Sequence, residues 1–420
     1  MVYGELLQST CRVSIYSDVL RDSLVALVQK LIGQVDDGIS SAEQTAAEVF
    51  RRLAEEAELS KSLLVGNVWQ DHLLECILSD DNVFARKAES SGLAEMGESL
   101  IAQTRFDLDV LRTLYDLDFG KLCLHPSISG FKPSRNTKVD ELRRETKLEM
   151  DKCRKWSDCL SVLAAFYDKN GSGEFGRFRA FRWVDGSPLG VESPDPIALA
   201  DLVEYDWQRE SVRRNTEKLL AGLSTNNMLL YGDRGTGKSS TVKAMLNEFG
   251  ERKLRLVEVA KEDLFDLPAI LSMLRKRPEK FILFLDDLSF EENETQYKAM
   301  KAVLEGGLEA RPSNVVLYAT SNRRNLIRER FADRSGDEEV HPGDTMQEKL
   351  SLADRFGLKV PFLAPDQEEY LHMVAVLAER AGIEMTDKMR KQAVSWQHAR
   401  SGRSARQFVD YIIGENALGV

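Results

Sequence analysis

The stretch Asn226-Asn-Met-Leu-Leu-Tyr-Gly-Asp-Arg-Gly-Thr-Gly-Lys-Ser-Ser240 decides the fold of this chain. It consists of a short apolar strand, a glycine-rich loop and residues suited to begin a helix at Lys238, which is the context that the phosphate-loop pattern Gly-x-x-x-x-Gly-Lys-Ser/Thr requires. The glycines let successive N–H groups point inward at a polyphosphate, and the helix N-terminus adds a partial positive charge. A plain flexible connection is the competing interpretation, but it does not explain the complete pattern.

The residue types in this loop predict contacts with a polyphosphate and with Mg²⁺. Lys238 would reach the β- and γ-phosphates, and the Ser239 hydroxyl would be a ligand of Mg²⁺. The residues that we expect to bind the cofactor are Gly232, Asp233, Arg234, Gly235, Thr236, Gly237, Lys238, Ser239 and Ser240.

A second diagnostic stretch, Phe281-Ile-Leu-Phe-Leu-Asp-Asp287, combines an apolar strand with two carboxylates. Such a strand delivers its terminal charge to the carboxyl edge of a parallel sheet, beside the phosphate loop. We expect Asp286 to hold Mg²⁺ through water, and Asp287 to orient and deprotonate the attacking water. The competing interpretation is that Asp-Asp ends a strand in a turn.

Polar residues also end the next predicted strand, at Thr320-Ser321-Asn322. Asn322 is our first choice for positioning water or sensing the γ-phosphate, with Thr320 behind it, and a strand-end turn is the alternative.

An arginine of a neighbouring subunit can supply a positive charge that contacts the γ-phosphate. Four arginines follow within eight residues, and we select none of them, because such side chains are commonly solvated or paired locally: Arg323, Arg324, Arg328 and Arg330.

Two later stretches supply better arginine candidates. Arg355, within Ser351-Leu-Ala-Asp-Arg-Phe-Gly-Leu358, precedes the last short strand and is a candidate arginine finger. The last predicted helix begins near Gly402 and would place an arginine over the nucleotide as part of a lid. Arg406 is our choice and Arg403 the alternative, and a surface salt bridge explains either of them equally well.

Length and composition set the class of protein. The chain has 420 residues, of which 43% are hydrophobic and 30% charged, enough for two or three domains. The net charge of −11 argues against a surface dominated by nucleic-acid binding. No apolar run reaches the length of a membrane span, and the start of the chain lacks the pattern of a secretory signal. We therefore expect a cytoplasmic protein that does not contact a membrane.

The cysteines and histidines follow no ligand pattern. The five cysteines are odd in number and lack Cys-x-x-Cys pairs, so we expect inert thiols in a reducing cytoplasm rather than disulfides or a metal site. We assign no chemistry to the histidines either. These residues are Cys11, Cys76, Cys123, Cys153, Cys159, His72, His125, His341, His372 and His398.

Residues 1–170 carry helical periodicity and predict an all-α N-terminal domain. We expect helices over about 19–31, 42–59, 60–79, 92–117 and 139–168, the first of them ended by Gly33. The basic residues after position 140 are interleaved with acidic ones at four-residue spacing, which is typical of a solvated helix face. A structural or regulatory bundle is therefore favoured over a partner-recognition or nucleic-acid-binding domain.

The glycine-rich and proline-rich segment 171–198 is predicted to be an extended linker draped over the next domain.

From residue 199 onward, helices and strands alternate. Continuous apolar strands imply a sheet covered on both faces, hence a doubly wound parallel α/β sheet over 199–364 with a helical C-terminal lid over 365–420. The predicted strands are 228–231, 254–259, 281–285, 315–320 and 360–362. The predicted helices are 207–223, 239–249, 264–274, 295–304, 366–382, 386–399 and 404–416.

Taken together, these motifs resemble those of the AAA+ ATPase superfamily over about 199–420. Gly-Asp-Arg-Gly-Thr-Gly-Lys-Ser-Ser from Gly232 is similar to its Walker A loop, and Leu285-Asp-Asp is similar to Walker B. With Ala-Thr-Ser-Asn-Arg-Arg and Leu-Ala-Asp-Arg-Phe-Gly-Leu, the set resembles one family of bacterial ATP-binding proteins of unknown function within that superfamily. The segment around Arg355 also resembles bacterial replication initiators and helicase loaders. Residues 1–170 carry no resemblance to a known family.

The resemblance implies ATP with Mg²⁺ as cofactors and specific site roles. Asn322 is similar to sensor 1, Arg355 to the arginine finger and Arg406 to sensor 2. Such proteins assemble into a ring or open spiral, so Arg355 would act on the nucleotide of a neighbouring copy. One residue departs from the pattern, because Asp287 stands where the superfamily usually has Glu, and its shorter side chain favours slow hydrolysis.

Two functions follow from these expectations. The first is a Mg²⁺-dependent ATPase that remodels or loads a protein or nucleic-acid partner, with a protein favoured because the chain is acidic. The second is a slow ATP-gated switch that binds a partner through its helical N-terminal domain. A small-molecule kinase is a third possibility, and it would need an acceptor site that the sequence does not indicate.

Overall fold

The computed structural model describes residues 3–59, 64–122, 128, 131, 140–290, 296–305, 311–322, 352–396 and 400–418. The chain divides into two units, Met1–Arg177 and Phe178–Val420.

The first unit is helical, which confirms the all-α class predicted for the N-terminal region. The helices are α1 (Tyr3–Thr10), α2 (Ser17–Arg21), α3 (Ser23–Asp36), α4 (Ala42–Leu59), α5 (Val68–Leu78), α6 (Val83–Ser91), α7 (Glu98–Tyr115), α8 (Glu141–Lys152), α9 (Leu160–Asn170) and α10 (Gly173–Arg177). Short 3₁₀ turns occur at Leu93–Glu95 and Trp156–Cys159.

The helices of the first unit form because each presents an apolar stripe to one shared core. In α3 the buried residues recur at helical spacing, and the Asp22 side chain caps the helix by accepting from the N–H groups of Leu24 and Val25. The prediction that Gly33 ends this helix is wrong, since α3 continues to Asp36. A glycine inside a helix costs only about 1 kcal/mol, which the packing of the helix offsets.

The long helix predicted over 139–168 is also wrong, because the chain breaks between α8 and α9. The backbone is extended at Cys153, and a 3₁₀ turn leads into α9. Hydrogen bonds stabilise the break: the Trp156 indole donates to the Met150 carbonyl at 2.8 Å, and the Ser157 N–H donates to the Asp109 carboxylate at 2.8 Å. Contacts with another helix therefore override local helical periodicity.

The second unit contains a seven-stranded sheet with helices. The strands are β1 (Ala180–Val184), β2 (Ser187–Gly190), β3 (Met228–Gly232), β4 (Leu254–Glu258), β5 (Lys280–Leu285), β6 (Val315–Ser321) and β7 (Leu358–Phe362). The helices are α11 (Asp206–Leu220), α12 (Lys238–Phe249), α13 (Leu267–Arg275), α14 (Gln296–Glu305), α15 (Gln367–Arg380), α16 (Asp387–Trp396) and α17 (Gly402–Leu418).

The strand order is β2-β1-β4-β5-β6-β3-β7, and every pairing except β1 with β2 is parallel. The strand that feeds the phosphate loop, β3, lies between β6 and β7. Every residue of β6 is buried, as is every residue of β5 after Lys280, because helices cover both faces of the sheet. This topology confirms the predicted P-loop, AAA+-like fold class.

Within the segment 171–198, which is predicted to be an extended linker, Ala180–Val184 and Ser187–Gly190 form strands of the sheet, and the bounds of the linker stay a prediction. Helix α10 precedes β1, which pairs in parallel with β4, and β2 folds back on β1 as an antiparallel hairpin. The Trp183 indole donates to the Asp266 carboxylate at 2.8 Å and ties the hairpin to the chain before α13. Phe181 and Trp183 are buried in this arrangement, whereas Val184 and Leu189 are exposed.

The last three helices, α15 to α17, pack around a cluster of their own that includes Tyr370, Val374 and Phe408. The division of this unit into a core over 199–364 and a lid over 365–420 stays a prediction. Among the residues that the structure describes, no helix combines the length and apolarity that crossing a membrane requires.

We predict that Asp107→Ala strongly destabilises the first unit. This fully buried carboxylate accepts hydrogen bonds from the backbone N–H groups of Ser14, Ile15 and Tyr16, at 3.0, 2.6 and 3.1 Å. Removing it leaves these donors unsatisfied, so we expect a loss of about 3 kcal/mol in the free energy of unfolding, measured by urea titration. The control Asp18→Ala breaks only an exposed ion pair with Arg21 and should cost less than about 1 kcal/mol. Equal losses in both variants would contradict this account.

Candidate functional site

The phosphate loop begins where β3 comes into close contact with β7. Gly232 has a φ of 134°, and a Cβ atom built on it would lie 2.1 Å from the Phe362 carbonyl oxygen. The N–H of Asp233 donates to that same oxygen at 2.9 Å. Only glycine allows the two backbones to approach this closely, so the first glycine of the motif is a packing requirement.

The loop ends at the N-terminus of α12. Gly235 and Gly237 have φ values of 76° and 95°, and Gly237 is the N-cap of the helix that begins at Lys238. The first N–H groups of a helix have no partner within the helix, and they carry its positive dipole end. The sequence motif therefore folds into a turn of backbone donors followed by a helix N-terminus, the arrangement that binds phosphate.

The Lys238 side chain is buried at the start of α12, with 6% of the residue exposed. Its ammonium donates to the carbonyls of Gly232 and Asp233, at 2.9 and 2.6 Å, and to the Asn322 side-chain oxygen at 3.3 Å. Burial lowers the pKa of Lys238 from its ordinary value, although neighbouring carboxylates, led by Asp233, act in the opposite direction. The Lys238 ammonium thus forms hydrogen bonds both to the phosphate loop and to Asn322, which follows β6.

The Asp286 carboxylate lies at the end of β5 and connects three parts of the site. Its Oδ1 accepts from the Ser239 hydroxyl at 2.5 Å and from the Thr320 hydroxyl at 2.6 Å. Ser239 and Asp286 are 47 positions apart, and the fold brings them into direct contact. A hydroxyl and a carboxylate oxygen are hard donors of the kind that Mg²⁺ prefers, so this pair fits the predicted metal role.

Asp287 follows in a left-handed backbone conformation, with a φ of 48°. Its N–H donates to the Thr320 hydroxyl oxygen at 2.8 Å, and its carboxylate accepts a hydrogen bond from the Asn322 amide. The predicted acidic pair and the predicted polar pair therefore meet at the carboxyl edge of the sheet, because β5 and β6 are adjacent.

A cavity of about 760 Å³ opens beside the loop. It is lined by the predicted residues from Arg234 to Ser240, with Asp286, Asp287, Thr320 and Asn322. Its lining also includes apolar residues of two segments that sequence reasoning did not select, one before α11 and one in α15. These residues are Ile197, Leu202, Val203, Met373 and Leu377.

The segment before α11 is held in place by α12. The Asn247 side chain donates to the carbonyls of Asp195 and Ile197, at 2.8 and 2.7 Å. Tyr205 donates its hydroxyl to the Leu363 carbonyl at 2.6 Å and also lines the cavity. No motif marks this segment. Its one sequence signal is a proline-rich, apolar stretch placed before the helix and strand that lead into the phosphate loop.

The last helix, α17, approaches the loop directly. The Arg403 N–H donates to the Gly235 carbonyl at 3.1 Å, and a Cβ on Gly235 would lie 2.8 Å from the Ser401 hydroxyl. Arg403 and Arg406 both line the cavity, and neither has an ion-pair partner among the described residues. The choice between these two arginines stays open. Gln407 and Asp410 of the same helix also line the cavity and were not predicted.

Arg355 occupies a different place. It lies just before β7, where its N–H donates to the Leu352 carbonyl at 3.3 Å, and it is not one of the described residues around the cavity. Its predicted role on a neighbouring copy stays a prediction. The four unselected arginines between positions 323 and 330 lie outside the described residues.

A sequence model of the family described as "Protein of unknown function (DUF815)" matches residues 176–416. No curated protein matches the sequence. Among solved structures, the Thermotoga maritima RuvB Holliday junction branch migration motor is similar at 15% identity and a TM-score of 0.38. That match covers 53% of this chain and 66% of the RuvB chain, just under two thirds of its length. The FIGL-1 AAA domain in complex with ADP is similar at 17% identity and a TM-score of 0.36, covering 54% of this chain and 74% of that one.

We predict that Gly232→Ala disrupts the loop and the adjacent sheet edge. The added methyl group would meet the Phe362 carbonyl, so the strands must separate, and we expect a loss of at least about 3 kcal/mol in the free energy of unfolding. Gly382→Ala is the matched control, because Gly382 also has a positive φ, of 72°, but has nothing within 4 Å of the added atom. It should cost only about 1–2 kcal/mol. Urea unfolding measures both, and similar losses would refute a specific steric role for Gly232.

Proposed function

We propose that this chain, which belongs to the DUF815 family by a model that covers the whole phosphate-loop region, binds ATP with Mg²⁺ and acts as an AAA+-type ATPase. The observation that carries the proposal is the contact of Ser239 with Asp286 beside the buried ammonium of Lys238. The hydroxyl of Ser239 and the ammonium of Lys238, both at the start of α12, lie beside the carboxylate of Asp286 at the end of β5. Their chemistry matches that of groups that hold a metal-bound polyphosphate.

The size and lining of the cavity support a nucleotide as the ligand. A volume of about 760 Å³ lies in the range of small-molecule sites. The phosphates would lie at the loop and the N-terminus of α12. The base would lie against the apolar side, between Leu202 and Val203 on one hand and Met373 and Leu377 on the other.

Ser239 and Asp286 are the residues that would hold Mg²⁺, which supplies positive charge to the phosphates and orients them when bound. Lys238 would neutralise the β- and γ-phosphates from inside the loop. Arg406, or Arg403 in its place, would contact the phosphates from α17. Since α17 also bonds to the loop backbone at Gly235, nucleotide contacts would be coupled to the position of the C-terminal helices.

Asp287 is the proposed base that takes the proton from the attacking water. Asn322 would position the Asp287 carboxylate and that water. The Asn322 amide donates to the Asp287 carboxylate, so one carboxylate oxygen is already engaged. This contact, with the short side chain of Asp287, favours the second candidate function, a slow ATP-gated switch. In that case ATP binding sets the conformation and hydrolysis resets it.

We further propose that the protein assembles with copies of itself in the cytoplasm and acts on a protein partner. Arg355 lies before the edge strand β7 and away from its own cavity, a location that suits a contribution to a neighbouring site. The helical unit Met1–Arg177 would contact the partner. A nucleic-acid partner is less favoured, because the chain carries a net charge of −11.

The nucleotide proposal predicts that Lys238→Ala weakens ATP binding about 100-fold, equivalent to about 2.7 kcal/mol, because a buried charge-assisted contact is lost. Asp286→Asn should retain binding of ATP in the presence of a chelator but lose the enhancement by Mg²⁺. Isothermal titration calorimetry measures both effects. Lys218→Ala, an exposed lysine on α11, serves as control and should bind as the unaltered protein does. Equal affinity of all four proteins, or no binding to any, would refute the proposal.

The role of Arg355 between copies can be tested by mixing variants. Arg355→Ala keeps a complete site but lacks the arginine, whereas Asp287→Asn keeps the arginine but lacks the base. Each should hydrolyse ATP at least about tenfold more slowly than the unaltered protein. If Arg355 acts on a neighbour, a mixture of the two regains part of the activity, because some interfaces combine an intact site with an intact arginine.

Steady-state phosphate release measures this recovery, with Arg390→Ala, an exposed arginine of α16, as a control that should have full activity. No recovery on mixing would contradict action in trans. The unaltered protein could instead bind ATP but hydrolyse it negligibly, with neither Arg355→Ala nor Asp287→Asn altering the rate of hydrolysis. In that case the ATP-gated switch replaces the ATPase as the function.

A further inference from the structure

The first unit contains a side-chain cluster that the nucleotide proposal does not use. Asp22, His72 and Cys76 each direct one ligand-type atom into a common space, and the three atoms lie within 4.8 Å of one another. His72 and Cys76 lie one turn apart on α5, and Asp22 precedes α3. No sequence spacing indicates the cluster, because Asp22 is 50 positions from His72.

The distances between these atoms suit tetrahedral coordination. The His72 Nε2 atom lies 3.5 Å from Cys76 Sγ and 2.9 Å from Asp22 Oδ1. Zinc–ligand bonds of about 2.0–2.3 Å place neighbouring ligand atoms of a tetrahedron roughly 3.3–3.6 Å apart. The nitrogen–sulfur distance already meets this value, and the nitrogen–oxygen distance must widen by only about 0.5 Å.

The Asp22 carboxylate can serve the metal without giving up its cap. Its Oδ1 accepts from the N–H groups of Leu24 and Val25, at 2.9 and 3.0 Å. Oδ1 is also the oxygen that lies 2.9 Å from His72 Nε2, and Oδ2 accepts no hydrogen bond from the part of the chain that the structure describes, so rotation of the carboxylate can leave one oxygen on the α3 cap and turn the other to the cation.

Glu56 completes the arrangement from α4. Its carboxylate lies 2.8 Å from the other ring nitrogen of His72, Nδ1. Histidine ligands of metals almost always donate that second N–H to a carboxylate or carbonyl, which fixes the ring and its tautomer. The His72 side chain is only 14% exposed, so this orientation is held by packing as well.

We propose that Asp22, His72 and Cys76 bind one Zn²⁺ ion, with Glu56 as the residue that orients His72. The mixed carboxylate, imidazole and thiolate set favours zinc over Mg²⁺ or Ca²⁺, which take oxygen ligands. Three protein ligands leave a fourth position open. On binding, the thiol proton of Cys76 and the proton on His72 Nε2 leave to solvent, while the proton on His72 Nδ1 stays on the ring and is donated to the Glu56 carboxylate.

A purely structural ion pair is the alternative explanation for these contacts. Burial would lower the pKa of His72, but hydrogen bonds to Asp22, Cys76 and Glu56 raise it to about 12. An imidazolium between two carboxylates would then need no metal. The two explanations differ in one measurable property, the stoichiometric uptake of zinc.

The test uses the full chain, stripped with a chelator and then dialysed against Zn²⁺, with bound metal measured by mass spectrometry. We expect one Zn²⁺ per chain, and at least tenfold weaker binding in Cys76→Ser and in His72→Gln. Glu56→Gln should weaken binding about tenfold without removing a ligand. Co²⁺ reports the ligand set directly, because a bound thiolate produces a charge-transfer absorption band that Cys76→Ser should abolish and Glu56→Gln should retain.

Two control variants separate this site from others in the chain. Cys153→Ser removes another half-buried thiol of the same unit, and Lys238→Ala removes the nucleotide-site cation; both should bind zinc as the unaltered protein does. Circular dichroism verifies that each variant is folded. If His72→Gln does not fold, the Co²⁺ spectrum of the unaltered protein still tests whether a thiolate binds the metal. No stoichiometric uptake, or uptake unaffected by Cys76→Ser, would overturn the proposal in favour of the ion pair.

Discussion

The second unit depends on the position of β3 beside the edge strand β7, since β3 is hydrogen-bonded to β6 on one side and to β7 on the other. This position places the end of β3 against the Phe362 carbonyl and beside the end of β6. The chain can leave the sheet there only by a sharp turn, which glycine provides. The turn sends the following residues into α12, so the loop and the helix N-terminus are consequences of the sheet order.

The electrostatics of the site are local and do not follow the charge of the whole protein. The chain carries a net charge of −11, yet the cavity combines Lys238, Arg403 and Arg406 with the carboxylates Asp286 and Asp287. Lys238 is buried and bonded to backbone carbonyls, and among the described residues no carboxylate forms a direct ion pair with its ammonium. Such a site suits an anion accompanied by a divalent cation better than either alone.

The helical unit shows how polar groups are accommodated in an otherwise apolar bundle. Asp107 is fully buried and satisfied by backbone donors, and Lys147 lies between the carboxylates of Asp71 and Glu75, at 3.0 Å from each. Each buried charge therefore has partners, as burial requires. The cluster around His72 differs from these pairs, because a thiol adds a soft ligand that an ion pair does not need.

The sequence by itself determined the features that depend on local spacing. The glycine pattern before Lys238, the apolar strand before Asp286 and the alternation of helices and strands predicted the phosphate loop, the acidic edge and the fold class. The meeting of Asp287 with Asn322 also followed, because adjacent parallel strands end at one edge.

Only the tertiary structure decided which distant segments pack together. It placed Ala180–Val184 and Ser187–Gly190 in the sheet, brought the segment before α11 to the cavity, broke the helix predicted over 139–168 and assembled Asp22 with His72. Local periodicity carries no information about these contacts. They arise when elements far apart in sequence bury their surfaces against each other, and the choice among such pairings is a property of the whole chain.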